Sequence, residues 1–228
     1  MRAILLAAGM GTRLRPLTLE TPKSLVIVNK KPLIERQIEF LKEKGINDIV
    51  VVTGYLSEKF QYLVEKYEVN LVYNDKYNVY NNIYTMYLVR EYLEDSYVID
   101  SDVYISENFI LENPKKSLYF SAYKKNFKNE WKLYFDENNK VENIEVESGK
   151  GYILCGVSYW SREDSKKIIK ELEIVIENNS FKDLYWDDIV KDNLKKLNVY
   201  IEKIKEDSIY EIDNLDELEN VKKIVEYR

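Results

Sequence analysis

Apolar positions in the first hundred residues come in short runs separated by stretches of helical spacing. Arg2–Leu6 is one such run. It ends in Ala7-Ala8-Gly9 and reads as a buried strand feeding a loop. Pro32 then opens a helix, where its missing N–H costs little, and Ile34, Ile38 and Leu41 fall on one face of it. Gly45 stands where a left-handed C-terminal cap is expected. Ile49–Val52 lacks alternation, as a parallel strand covered on both faces does. Ser57 is placed to cap a helix over Glu58–Lys66. Val69–Tyr73 follows as a strand, Ile83–Tyr92 as a helix and Tyr97–Ile99 as a strand ending in Asp100-Ser101-Asp102.

This order predicts an α/β fold: a doubly wound, mostly parallel, Rossmann-like sheet with right-handed crossovers. Ligands of such sheets bind outside the carboxyl ends of the strands. Gly9–Arg13 and Asp100–Asp102 fall at two such ends. The second half changes character. Ser117–Tyr123, Trp131–Phe135, Val141–Val146 and Tyr152–Trp160 read as strands, with turn residues Asp136–Asn139 among them. Arg162–Glu177 and Trp186–Leu194 read as helices, Val199–Ile204 and Ser208–Ile212 as strands, and Leu215–Tyr227 as a C-terminal helix. These elements predict a mixed-sheet extension covering the active site. No repeat, linker or low-complexity tract divides the chain, so residues 1–228 are expected to form one domain.

Composition narrows the chemistry. The sequence holds no histidine, which removes Ser-His-Asp and Cys-His catalysis and His-ligated zinc. Carboxylates, Lys, Arg, Tyr or a hard metal ion must carry any reaction. The net charge of −6 argues against a nucleic-acid partner. No apolar run approaches the roughly 20 residues of a membrane span, and no export signal precedes the glycine loop, so a cytoplasmic location without membrane attachment is expected. The single cysteine, Cys155, excludes an internal disulfide, fits a reducing compartment and reads as a buried strand residue. The 20 tyrosines read mostly as compositional drift.

The loop Leu6-Ala7-Ala8-Gly9-Met10-Gly11-Thr12-Arg13-Leu14 contains Gly-x-Gly, but Leu14 stands where a dinucleotide fingerprint wants a third glycine. Lys30 and Lys31 stand where it wants an acid, and a P-loop is absent. What remains is a glycine turn that lets backbone approach a polyanion, followed by Arg13 and Lys23, with Pro22 stiffening the chain before Lys23.

The pattern Leu6-Ala7-Ala8-Gly9-x-Gly11-x-Arg13-Leu14-x-Pro16-x-Thr18, then Pro22-Lys23-x-Leu25, then Lys31-Pro32-Leu33-Ile34, resembles the nucleotidyltransferase superfamily that activates sugar phosphates and phosphocholine. The resemblance implies that residues 1–110 bind the nucleotide and 111–228 the acceptor. It implies that Leu6, Ala7, Ala8, Gly9, Gly11 and Thr12 wrap the triphosphate, with Asp100 nearby and with Arg13 and Lys23 neutralising phosphate charge in catalysis. It further implies Mg²⁺ held by Asp102 and a late acid, with Asp187 favoured over Asp188. The acceptor's phosphate would attack the α-phosphorus in line. That oxygen is already anionic, so no general base is required.

Asn81-Asn82, Asn129-Glu130-Trp131, Asp183–Asp187 and Ser208–Asp213 resemble, more narrowly, the bacterial CTP:phosphocholine cytidylyltransferases. A quaternary ammonium donates no hydrogen bond and is recognised by aromatic faces and carboxylates. Trp131 and Tyr185 are therefore expected as cage walls, with Glu211 as counter-charge and Glu130 beside them. An amide of Asn81 or Asn82 is expected to read cytosine, unless Asn81 only caps the helix at Ile83. The expected partners are CTP and phosphocholine, in a monomer or homodimer. A sugar 1-phosphate, phosphoethanolamine or an aminophosphonate remains as an alternative acceptor. A non-catalytic nucleotide sensor would be marked by loss of Arg13, Lys23 or Asp102, and all three are present.

Overall fold

The computed structural model describes residues 1–179 and 181–226. The strands are β1 (Arg2–Ala7), β2 (Ile27–Val28), β3 (Lys31–Pro32), β4 (Asp48–Thr53), β5 (Asn70–Tyr73), β6 (Ser96–Asp100), β7 (Val103–Ile105), β8 (Ser117–Phe135), β9 (Val141–Trp160), β10 (Val199–Ile204) and β11 (Ile209–Glu211). The helices are α1 (Leu33–Glu43), α2 (Tyr62–Tyr67), α3 (Asn82–Leu88), α4 (Arg162–Glu177), α5 (Trp186–Asp192) and α6 (Leu215–Glu226). Seven strands form one sheet in the order β10-β8-β9-β6-β1-β4-β5. β1 runs parallel to β4 and β6, β4 to β5, and β10 to β8, whereas β9 is antiparallel to β6 and β8. The expected α/β fold with a mixed-sheet extension is the observed one.

Alternate residues of each central strand feed opposite faces of the sheet, and helices cover both. Ala3, Leu5, Ile49, Val51, Tyr97 and Ile99 pack with Ile34, Ile38 and Leu41 of α1 and Leu63 of α2. Ile4, Val50, Val52 and Val98 pack with Ile83 and Met86 of α3, Ile168 of α4 and Ile189 of α5. Burial on both faces is why these strands carry apolar runs without alternation. α1 ends as expected: Gly45 has φ 73°, and its N–H and that of Ile46 donate to the carbonyls of Lys42 and Leu41.

Several boundaries differ from expectation. Ser57 makes no side-chain cap, because Leu56 takes the left-handed conformation before a 3₁₀ turn at Ser57–Phe60, and α2 follows. The expected helices at Ile83–Tyr92 and Trp186–Leu194 each end early and tighten into a 3₁₀ turn. The four expected strands between Ser117 and Trp160 are two long ones, β8 and β9, whose pairing shifts register repeatedly. These bulges break the apolar alternation and split each strand in the sequence pattern. The expected C-terminal helix runs to Glu226, and Tyr227 lies outside the described residues. No helix among the described residues is long and apolar enough to cross a membrane.

Candidate active site

Gly11 adopts φ 57°, and a Cβ there would approach Lys23 Cβ at 3.0 Å and Thr18 Cγ2 at 3.1 Å. Only glycine lets the loop turn so tightly over the Lys23 side chain. The buried Thr18 hydroxyl donates to the Gly11 carbonyl at 2.7 Å and fixes this turn. Across the loop, Ser101 Oγ donates to the Leu6 carbonyl at 2.7 Å. Gln37 Nε2 donates to the carbonyls of Asp100 and Val103 at 3.1 and 2.9 Å. Together these bonds hold Asp102 beside the end of β1.

Three adjoining cavities open here. The first, about 200 Å³, is lined by Leu6, Ala7, Gly9, Gly11, Thr12, Arg13 and Lys23 of the expected phosphate loop, with Asp102 and Asp213. The second, about 260 Å³, brings Ala8, Asn81, Asn82 and Asp100 together with Tyr77, Tyr80 and Thr85. The third, about 510 Å³, gathers Glu130, Trp131, Tyr185, Asp187 and Glu211 under β8 and β9. Apart from Asp188, every residue expected at the site lines at least one of these three cavities.

The carboxylates do not pair as expected. Ligand oxygens of Asp102, Glu211 and Asp213 lie within 4.8 Å of one another. Asp187 is not among them. It lines the third cavity, where its Oδ1 accepts the Tyr119 hydroxyl at 2.8 Å, and Asp213, where Asp187 was expected, is the late acid grouped with Asp102. Asp213 arrives because β11 pairs antiparallel with β7, and the Ile212 N–H donates to the Asp102 carbonyl at 3.2 Å. Asp188 is spent on structure: it accepts the Tyr185 N–H at 2.9 Å and pairs with Lys191 at 2.7 Å. Lys23 Nζ bridges Asp102 and Asp213 at 2.8 and 2.7 Å, and Arg13 pairs with Asp213 at 2.8 Å.

A family model described as nucleotidyl transferase matches residues 2–140. The chain belongs to this family. The transferase is 52% identical over 225 residues to the choline-phosphate cytidylyltransferase of Streptococcus pneumoniae, covering 99% of this chain and 98% of that one. It is 35% identical over 220 residues to the 2-aminoethylphosphonate cytidylyltransferase of Lancefieldella rimae, covering 95% and 89%. The solved structure of the CTP:phosphocholine cytidylyltransferase from Streptococcus pneumoniae superposes with a TM-score of 0.97 at 53% identity, covering 98% of both chains.

Electrostatics in the transferase follow from gathering so many acids in one cavity. Burial disfavours the Lys23 charge, but Asp102 and Asp213 outweigh that and hold its ammonium above the ordinary value. Crowding by the surrounding protein, with the charges of Asp102, Asp213 and Glu130, pushes Glu211 up to about 8, although its side chain keeps contact with solvent. Burial and Asp188 push Asp187 up to about 7 against the Tyr119 hydrogen bond. Cys155 is not part of this chemistry: burial pushes its thiol up to about 11, and its sulfur accepts the Ala122 N–H.

Both asparagines hold backbone of a distant segment. Asn81 Nδ2 donates to the Asp183 carbonyl at 3.0 Å, and Asn82 Oδ1 accepts the Trp186 N–H at 2.9 Å. Each links the second cavity to the segment that carries Tyr185, and Asn81 makes no side-chain cap on α3. Sequence reasoning missed Asp213, although it closes the Ser208–Asp213 segment already singled out. It also missed Tyr77 and Tyr80, which nothing separated from the other tyrosines.

Proposed function

We propose that this transferase moves CMP from CTP to phosphocholine, forming CDP-choline and pyrophosphate. The observation that carries the reading is the third cavity, which is lined by two adjoining aromatic rings, Trp131 and Tyr185, together with carboxylates. A quaternary ammonium is bound by ring faces and diffuse negative charge, and it asks for no hydrogen-bond acceptor. The activity named for the 52% identical relative supports the same acceptor.

The glycine loop receives the triphosphate, and Arg13 and Lys23 neutralise its charge. Tyr77, Tyr80 and the asparagines flank the base. An oxygen of the acceptor phosphate attacks the α-phosphorus from the third cavity, and the bond to pyrophosphate breaks. The attacking oxygen carries its own charge at neutral pH, so the absence of histidine is no obstacle. Asp102 and Asp213, with Glu211 behind them, suit a hard cation, which prefers one or two carboxylates plus phosphate oxygens. Mg²⁺ bound there supplies charge stabilisation to the phosphates.

A second reading places a primary ammonium in the same cavity. Its six carboxylates, Asp100, Asp102, Glu130, Asp187, Glu211 and Asp213, would accept hydrogen bonds from such a group. Pyrophosphate release with CTP, UTP, dTTP and GTP against phosphocholine, 2-aminoethylphosphonate and glucose 1-phosphate separates these readings. The account expects turnover with CTP and phosphocholine above all other pairs. Preference for another nucleotide, or for either other acceptor, would overturn it.

A further inference from the structure

The third cavity must accept a phosphate as well as an ammonium, and its charge makes that difficult. Of the residues lining it, six are carboxylates and only two, Arg13 and Lys128, are cations. Arg13 is already engaged with Asp213 at 2.8 Å and also faces the phosphate cavity. A dianionic phosphate entering among six carboxylates meets repulsion unless a cation receives it. Apart from the hard cation proposed at Asp102 and Asp213, Lys128 is the lining cation that no carboxylate engages. It is exposed, and its side chain makes no ion pair or hydrogen bond among the described residues.

The backbone around Lys128 is built irregularly. Pairing between β8 and β9 shifts register between Lys124 and Phe127, and again between Phe127 and Glu130. Asn129 takes φ 55°, and its N–H donates to Ser148 Oγ at 3.0 Å. Opposite, Gly149 takes φ 148°. A bulge re-aims side chains that a regular strand would send to alternate faces. Here Lys128, Asn129, Glu130 and Trp131 are consecutive, yet all four line the same cavity. One short segment thus offers a cation beside the aromatic wall, matching the two ends of a zwitterionic acceptor.

We infer that Lys128 binds the acceptor's phosphate, while Trp131, three residues on, binds its ammonium end. The inference rests on the acceptor reading above. Its test is steady-state kinetics of the wild type, Lys128→Ala and Lys128→Arg, with choline, the acceptor without its phosphate, as inhibitor. Lys128→Ala is expected to raise the KM for phosphocholine roughly 10- to 100-fold, as loss of one charge-assisted contact does. The KM for CTP and the inhibition constant of choline stay within about twofold, and Lys128→Arg restores most of the loss. An unchanged phosphocholine KM overturns the assignment. So does a choline constant that rises in parallel, which would mean the bulge itself had collapsed. A wild type that does not turn over phosphocholine overturns the acceptor reading, and the Lys128 assignment falls with it.

Discussion

The rings of Trp131 and Tyr185 stand edge to face, 85° apart in plane with centroids 6.3 Å apart. They come from distant segments, one from β8 and the other from the residue before α5, so the pair forms only when the extension folds over the sheet. Trp131 is partly buried, whereas Tyr185 is 49% exposed. Replacing Trp131 by Ala is expected to raise the phosphocholine KM about 30-fold, from a cation–π contact of ~2 kcal/mol, with little change for CTP. Steady-state kinetics check this. An unchanged phosphocholine KM would remove Trp131 from the acceptor site.

The grouping of Asp102 with Asp213 makes a prediction that separates the late acids. Asp213→Asn should lower kcat/KM roughly 1,000-fold, a loss of ~4 kcal/mol of charge stabilisation, and weaken Mn²⁺ binding in the presence of a non-hydrolysable CTP analogue. Asp187→Asn should leave Mn²⁺ binding unchanged. Titration followed by electron paramagnetic resonance reads both. Equal loss in the two variants would return Asp187 to the metal.

Asp187 also sets a pH dependence of stability. Burial raises its carboxyl to about 7, far above the ~3.9 of an unfolded aspartate. A raised value means the folded chain holds the proton more tightly. Its contribution is therefore full below the unfolded value and lost as pH rises through about 7. Asp187→Asn, which stays neutral, should be more stable than the wild type at alkaline pH, by on the order of 2–4 kcal/mol, with the gap closing toward acid. Urea unfolding across that range tests it, and a gap independent of pH would contradict the burial argument.

Glu35 gives the opposite slope away from the site. It is buried in α1 and accepts hydrogen bonds from Tyr62 at 2.8 Å, Lys66 at 2.7 Å and Tyr67 at 2.8 Å. Burial alone would raise its carboxyl, but these donors outweigh burial and hold it below the ordinary value. A lowered value stabilises above the unfolded range of ~4.3 and is lost as pH falls through the lower folded value. Glu35→Gln should therefore lose about 1–3 kcal/mol at pH 7 and converge with the wild type in acid. Chemical denaturation at neutral and acid pH reads the difference, and a constant difference would refute the linkage.

The parts of the molecule legible in its sequence are those set by local pattern. β1, β4 and β6 carry continuous apolar runs because helices cover both faces, and the glycine loop and Asp102 sit at strand ends where such sheets bind ligands. Asp213 was not legible as the partner of Asp102, because its position depends on β11 pairing with β7 about a hundred residues earlier. Asp187 was expected as the late acid that the resemblance implies, yet its carboxylate is held by the Tyr119 hydroxyl from β8. The bulge at Lys128 was equally hidden. Its register shifts depend on β9, which no local pattern in residues 124–130 announces.

The central claim is that aromatic walls choose a quaternary ammonium over a primary one. The most direct test is kcat/KM with CTP for phosphocholine against phosphoethanolamine, which differ only in the methyl groups on nitrogen. The account predicts at least about a tenfold preference for phosphocholine, the discrimination that ~1.4 kcal/mol provides. Equal efficiency, or preference for phosphoethanolamine, would contradict it.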